Sequence, residues 1–418
     1  MHHPPILCVW YRSWVNSLNP LYQKAGLRVE PDRTNWGVKG VSCILKAGKE
    51  CVPPAKVFWD MVLALEKSGY RAGTSLFGVP YDWRLPPTRN KLCADLARIL
   101  FHVTNTTTHR KAIIAAHSLG NLQLLHCFQS VFGVETLSRV KGLVAIAAPW
   151  AGAPQGLRVL FSGAEMVSRL IITDAETRDF ARQMPGAYML LPDERVWGNH
   201  SILQVGGLTH SDSYLPSVSS SFTIRVIVIA TRVIVIATRV IVITTRVIVI
   251  TTRVITTRVI IDPNHPCVTT LAACLSPNAH SDAPPTFFEQ LAPDDDPTQP
   301  TEYRGRVDEI DSLFGKMEAY GGVSASGMRN AYESALRVVD VWRPPPLPVV
   351  CVIGSGKPTH VGFGYCEAWP RNMDEEPCTR KLEDGDATVP TRSAESVCAH
   401  WQKATEIPRT LSLAYMQT

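Results

Sequence analysis

Along residues 57–70, VFWDMVLALEKSGY, apolar side chains recur at i, i+3, i+4 and i+7 and the run closes on Ser68-Gly69. That spacing predicts an amphipathic helix with a C-cap. Thr74 to Val79 reads as a short strand, leading into Pro80-Tyr81-Asp82-Trp83-Arg84 and a Pro-Pro break. A second helix fits Lys91 to Val103. The apolar run Ile113–Ala116 predicts a strand, Gly120–Val131 a helix with leucines at helical spacing, and GLVAIAAP (142–149) another strand. Strand and helix in alternation predict a parallel sheet with helical crossovers.

From about 160 to 220 the pattern weakens into mixed helix and loop. Residues 225–261 are then a repeat: RVIVIAT twice, RVIVITT twice, then shortened copies. The period is seven, but V-I-V-I sets no a/d seam, so a coiled coil is excluded. Arginine at 225, 232, 239, 246, 253 and 258 excludes a membrane span. β-branched runs favour strands and aggregate when exposed. The repeat is expected to be a poorly anchored excursion from the core, a translated simple repeat, a gene-model error or an expanded loop. Residues 262–305, rich in Pro and Asp, read as linker. Helices are expected at 307–320 and 331–342, a buried strand at 347–354, and a turn at 383–390.

Composition narrows the class. At 418 residues, with 45% hydrophobic and 19% charged, the chain is globular and large enough for one big α/β domain or two smaller ones. The net charge of +5 is small and scattered, which argues against nucleic acid as a partner. No run of eighteen charge-free apolar residues offers a transmembrane helix, and MHHPPILCVWYRSW lacks the layout of a signal peptide. Eleven cysteines include no C-x-x-C, and the odd count leaves at least one thiol free. Buried thiols and a disulfide-bonded secretory protein are both compatible with that usage. Asn105-Thr106-Thr107 and Asn199-His200-Ser201 are glycosylation sequons.

Chemistry enters at AAHSLGN (115–121). A serine hydroxyl needs exposure, a base and a home for the oxyanion before it acts as a nucleophile. A sharp strand-to-helix turn supplies the first, usually as G-x-S-x-G. Here Ala116 stands at the first small position, Ser118 at the apex, and the Leu119 N–H at the helix start as an oxyanion donor. The pentapeptide alone fits an ordinary serine in a loop equally well.

Four stretches, taken in order, resemble the lecithin:cholesterol acyltransferase family, which also holds lysosomal phospholipase A and the phospholipid:diacylglycerol acyltransferases. They are LFGVPYDWRLPP (76–87), AAHSLGN (115–121), AIAAPWAGAP (145–154), and VCVIGSGKPT (350–359) with EDGDATVPTRSA (383–394). The resemblance implies an α/β-hydrolase fold: a mostly parallel central sheet flanked by helices, with an inserted cap. It implies Ser118 as nucleophile and Asp386 as the acid that orients a histidine, with Asp384 a turn-capping carboxylate. Asp82, Trp83 and Arg84 form a structural turn beside the site, Asp82 paired with Arg84. Cys351 and Cys398 fall where the family has a disulfide, and Cys8 resembles the closing cysteine of its lid loop.

The implied activity is acyl transfer from a glycerophospholipid to a sterol, another alcohol or water, at a membrane or lipoprotein surface, without a cofactor, in the secretory pathway or a lysosome-like compartment. The implied division is a lid and N-terminal remnant at 1–35, a core at 36–160, a cap insertion at 161–310 and a return to the core at 311–418. The histidine departs from the pattern. In α/β hydrolases it follows the acid, and after Asp386 the only one is His400, in SAESVCAHWQ, which reads as a helix. His400 is therefore a weak base candidate. With the family's second oxyanion loop also expected upstream of Cys8, the alternative is a catalytically inactive or truncated homologue. GSGKPT (354–359) fails as a P-loop, because Pro358 stands where Ser or Thr is required. There is no H-E-x-x-H, and Asp294-Asp295-Asp296 reads as a solvated loop rather than a metal site.

Overall fold

Apolar, β-branched segments build the centre of the molecule, and their order across it follows from which of them lie parallel. The computed structural model describes residues 33–43, 46–47, 50–51, 56, 58–106, 111–164, 173–206, 223–229, 301–304, 306–318, 323–336, 338–366, 376–404 and 414–417. Its strands are β1 (Lys46–Ala47), β2 (Glu50–Cys51), β3 (Ala112–His117), β4 (Val140–Ile146), β5 (Leu203–Val205), β6 (Thr223–Ile229), β7 (Thr301–Tyr303), β8 (Val349–Ser355), β9 (Lys357–Tyr365), β10 (Thr379–Gly385) and β11 (Ala414–Gln417). The helices are α1 (Val38–Ser42), α2 (Trp59–Lys67), α3 (Leu92–Thr106), α4 (Leu119–His126), α5 (Val134–Ser138), α6 (Pro154–Phe161), α7 (Asp174–Arg182), α8 (Pro185–Tyr188), α9 (Glu194–Trp197), α10 (Val307–Glu318), α11 (Ala325–Leu336) and α12 (Thr391–Ala404).

The main sheet runs β11-β6-β8-β4-β3. Strands β3, β4 and β8 are parallel, joined through α4 and the segments that follow, as βαβ connection requires. Strands β4 and β8 are largely buried and read as apolar runs rather than alternations, while β3, at the edge of the described sheet, is partly exposed, with Ile113 44% exposed. A second sheet runs β10-β9-β5-β7, with β9 and β10 an antiparallel hairpin continuing from β8. One apolar core spans both sheets, from Leu100 and Leu125 through Leu143 and Cys351 to Trp197, Phe314 and Trp401. Cystines tie Cys43 to Cys51, Cys93 to Cys127, Cys351 to Cys398 and Cys366 to Cys378. The Cys351–Cys398 bond, Cα atoms 6.6 Å apart, pins α12 to β8.

Several elements differ from the sequence reading. Thr74–Val79 is no strand: Thr74, Ser75 and Leu76 all donate to the Arg71 carbonyl in a tight turn, and Gly78 N–H bonds to Trp36. The expected helix at 331–342 begins at Ala325, because the Ser324 Oγ accepts the Gly327 N–H as an N-cap, and it ends at Leu336. The linker reading of 262–305 fails at its end, where β7 pairs with β5. The larger correction concerns the repeat. Residues 225–229 of its first copy lie in β6, an interior strand paired antiparallel with β8 from Thr223↔Ser355 to Ile229↔Val349 and with β11 on its other side. Residues 230–261, Cys8 and Asp294–Asp296 lie outside the described residues.

Candidate active site

The β3–α4 junction is the sharpest feature of the sheet. Ser118 has φ 51° and ψ −132°, a conformation rare outside glycine, directly between the last residue of β3 and the first of α4. Such strain costs on the order of 1–3 kcal/mol and persists only where surroundings impose it. Here they do so from both sides. The Ser118 N–H bonds to the Ile146 carbonyl at 2.9 Å, anchoring the turn to β4. The buried Asn121 side chain donates to the Ser118 carbonyl at 3.0 Å and the Ile146 carbonyl at 3.3 Å. Ala116 is buried, and a Cβ on Gly120 would make an ordinary contact with the Tyr81 hydroxyl at 3.5 Å, so Tyr81 packs directly over the start of α4.

The same edge of the sheet carries more strain. Of the described non-glycine residues with positive φ, Ala147 follows β4 and Ala387 follows Asp386. Strands β3, β4 and β8 are in register, with His117↔Ile146 and Ile146↔Val352, so their carboxyl ends stand side by side. Asp386 is bridged to Lys357, just past the end of β8, which brings it to that edge. Its Oδ1 accepts the Thr388 N–H at 2.8 Å and the Val389 N–H at 2.7 Å, so the carboxylate is fixed by its own turn. Asp384 is turned to other work, accepting the Gly356 N–H and, at 2.9 Å, the Thr391 hydroxyl.

Ser118 is half-buried, and its hydroxyl has no hydrogen-bond partner among the described residues. Leu119 opens α4, so its N–H has no acceptor within the helix. His117, missed by the sequence reading, ends β3 beside Ser118 and stacks edge-on against Phe58 at 5.9 Å. Desolvation by the surrounding protein holds its pKa below the ordinary value, partly offset by the Asp386 carboxylate. No pattern in the sequence marks His117. His400 lies on α12, nine residues past Thr391, exposed and packed edge-on to Trp342 at 5.3 Å. At about 1.5 Å of rise per residue, that puts it some 14 Å along the helix from the Asp386 end.

The 80–84 turn buttresses the junction. Arg84 and Asp82 form a two-point ion pair, at 2.8 Å from Nε and 2.7 Å from Nη2. Gln123 of α4 donates to the Leu85 carbonyl at 3.0 Å, and Asn90 donates to the Asp82 carbonyl at 2.8 Å. Trp83 packs edge-on against Phe180 at 6.4 Å. Burial pushes the Tyr81 phenol well above its usual pKa, so it stays neutral. No helix among the described residues is long and apolar enough to cross a membrane, and no group of three or more metal-binding side chains is found among them.

These features define an α/β protein with a strained strand–turn–helix elbow on the carboxyl edge of parallel strands. Residues 10–258 and 325–414 match the family model described as lecithin:cholesterol acyltransferase, and the chain belongs to that family. Membership implies the α/β-hydrolase class, with which the parallel sheet and flanking helices agree. The chain is 26% identical over 196 residues to the mouse (Mus musculus) lysosomal phospholipase A and acyltransferase, covering 45% of this chain and 47% of that one. It is 30% identical over 167 residues to the rice (Oryza sativa subsp. japonica) lecithin-cholesterol acyltransferase-like 1, 38% of each. To the chicken (Gallus gallus) phosphatidylcholine-sterol acyltransferase it is 24% identical over 137 residues, 33% of each. The matches thus span less than half the length of these curated relatives.

Proposed function

We propose that the chain is built for acyl transfer through a seryl ester at Ser118. The observation that carries this is the positive-φ serine at the end of β3, with Asn121 and Ile146 holding the turn. In this reading a glycerophospholipid donates its acyl group to Ser118, and an alcohol such as a sterol, or water, takes it away. Ser118 Oγ attacks the ester carbonyl; the Leu119 N–H receives the oxyanion. Asp386 orients and charge-stabilises the imidazolium of the histidine that accepts the serine proton. Residues 161–310 act as the cap over the lipid, with 1–35 belonging to the lid and 36–160 and 311–418 to the core. The substrate lies in a membrane or lipoprotein surface, and no cofactor takes part. A secretory or lysosome-like location is supported by the cystines and by the name of the mouse relative, a lysosomal phospholipase A and acyltransferase.

A second reading, a homologue without turnover, is favoured by His400, which stands against Trp342 rather than beside Asp386. A fluorophosphonate probe separates the two. Labelling that Ser118→Ala abolishes supports the acyl-enzyme. A folded chain that resists the probe supports the inactive form. Labelling lost in His400→Ala would make that histidine the base.

A further inference from the structure

Two sequons were visible in the sequence, and the fold treats them differently. Asn105 sits at the end of α3, its Oδ1 accepting from Arg139 Nη1 at 3.4 Å. Asn199 sits in the turn between α9 and β5, which the His200 N–H closes onto the Trp197 carbonyl at 2.7 Å. Its side chain is exposed and has no hydrogen bond among the described residues. Two residues on, Ser201 is 7% exposed, and its Oγ is buried with no hydrogen-bond partner among the described residues.

A buried hydroxyl without a partner weakens folding relative to alanine, which fits the same space. No contact among the described residues therefore accounts for a serine at 201. A hydroxyl two residues after an exposed asparagine is what sequon recognition needs, and that recognition acts on the chain before it folds. The chain also carries Cys43–Cys51, Cys93–Cys127, Cys351–Cys398 and Cys366–Cys378, bonds made in the oxidising compartment where this modification takes place.

We propose that Asn199 is an N-glycosylation site, read through the Ser201 hydroxyl and then sealed by folding. The donor is a lipid-pyrophosphate-linked oligosaccharide. The bond from its anomeric carbon to the pyrophosphate oxygen breaks and the bond to Asn199 Nδ2 forms. The amide loses one proton, the lipid pyrophosphate leaves, and no electrons are exchanged. The attached glycan stands in solvent at the turn, clear of the β5–β9 pairing. This inference is independent of the acyl-transfer reading, since it uses no residue of the Ser118 site.

The test is the full chain made behind a cleavable secretion leader in eukaryotic cells, with mass analysis before and after N-glycosidase. The expected result is one oligosaccharide on the peptide holding residue 199, with Asn199 converted to aspartate by the enzyme. Ser201→Ala and Asn199→Gln both lose it, and Ser201→Thr keeps it. Ser201→Ala, compared with enzymatically deglycosylated chain, unfolds at the same or higher urea concentration. The proposal is overturned by a disulfide-bonded chain bare at Asn199, by carbohydrate at Asn105 alone, by modification that survives Ser201→Ala, or by failure of Ser201→Ala to fold.

Discussion

Replacing Ser118 with alanine removes a hydroxyl but keeps the Cβ in its left-handed setting; replacing it with glycine removes the Cβ as well. At φ 51° and ψ −132° the Cβ is the source of the strain, on the order of 1–3 kcal/mol. Glycine relieves that and costs about 0.5–1 kcal/mol through the extra freedom of the unfolded chain. Ser118→Gly should therefore be more stable than Ser118→Ala by about 1 kcal/mol. Two residues earlier the order must reverse. Ala116 is buried inside β3 with an ordinary backbone, so Ala116→Gly loses packing and gains freedom when unfolded, destabilising by about 1 kcal/mol or more. Urea melts followed by tryptophan fluorescence, on the three variants and the parent, read both signs. If Ser118→Gly proves no more stable than Ser118→Ala while Ala116→Gly behaves as stated, the elbow is not strained, and the structural argument for Ser118 fails.

Other substitutions probe what holds the elbow. Paired Cys93→Ser and Cys127→Ser variants open a loop with a sequence separation of 34, and chain entropy puts the loss at about 4 kcal/mol in urea melts. Asn121→Ala leaves the Ser118 and Ile146 carbonyls without their side-chain donor and should cost about 1–3 kcal/mol, with fluorophosphonate labelling reduced more than in the Cys93/Cys127 pair. His200 is held down to about 4 by burial first, then by Arg392 and Lys381. Because the unfolded chain binds that proton more readily, stability should fall as pH drops from about 6.5 toward 4; in His200→Gln the fall should be shallower, measured by urea midpoints across that range.

The strands that carry the elbow were legible as unbroken apolar runs, which burial on both faces explains for β8 but not for β3, where Ile113 is 44% exposed. Ile113–Ala116 and the valines of β8 announce themselves, and the leucine-rich run after Ser118, a helix buried from Gly120 to His126, marks where the turn falls. The hairpin of β9 and β10 was not legible, since VGFGY interrupts its pattern with glycines. One of them, Gly362, lies close to the Ser201 carbonyl and Lys381. Cystine partners were equally hidden: Cys93 meets Cys127 only because α3 packs beside the turn that ends α4, which no spacing encodes. His117 was overlooked for a different reason. A histidine next to a serine carries no pattern, and its proximity to Asp386 exists only once β4 and β8 have set the distance across the edge.

Strand β6 has a consequence for inheritance rather than for chemistry. Its sequence is TIRVIVI, and RVIVI recurs at 232–236, 239–243 and 246–250. Excising residues 225–231 joins Thr223-Ile224 to Arg232 and rebuilds TIRVIVI letter for letter, so the same ladder to β8 can form. The ladder to β8 uses one copy, and each full copy that follows in the sequence repeats it. Alleles that gain or lose whole units by slippage should fold alike, with indistinguishable circular dichroism and urea midpoints. An insertion of any length not divisible by seven within the strand should not be tolerated, and removal of 222–261 entire should unfold the sheet between β8 and β11.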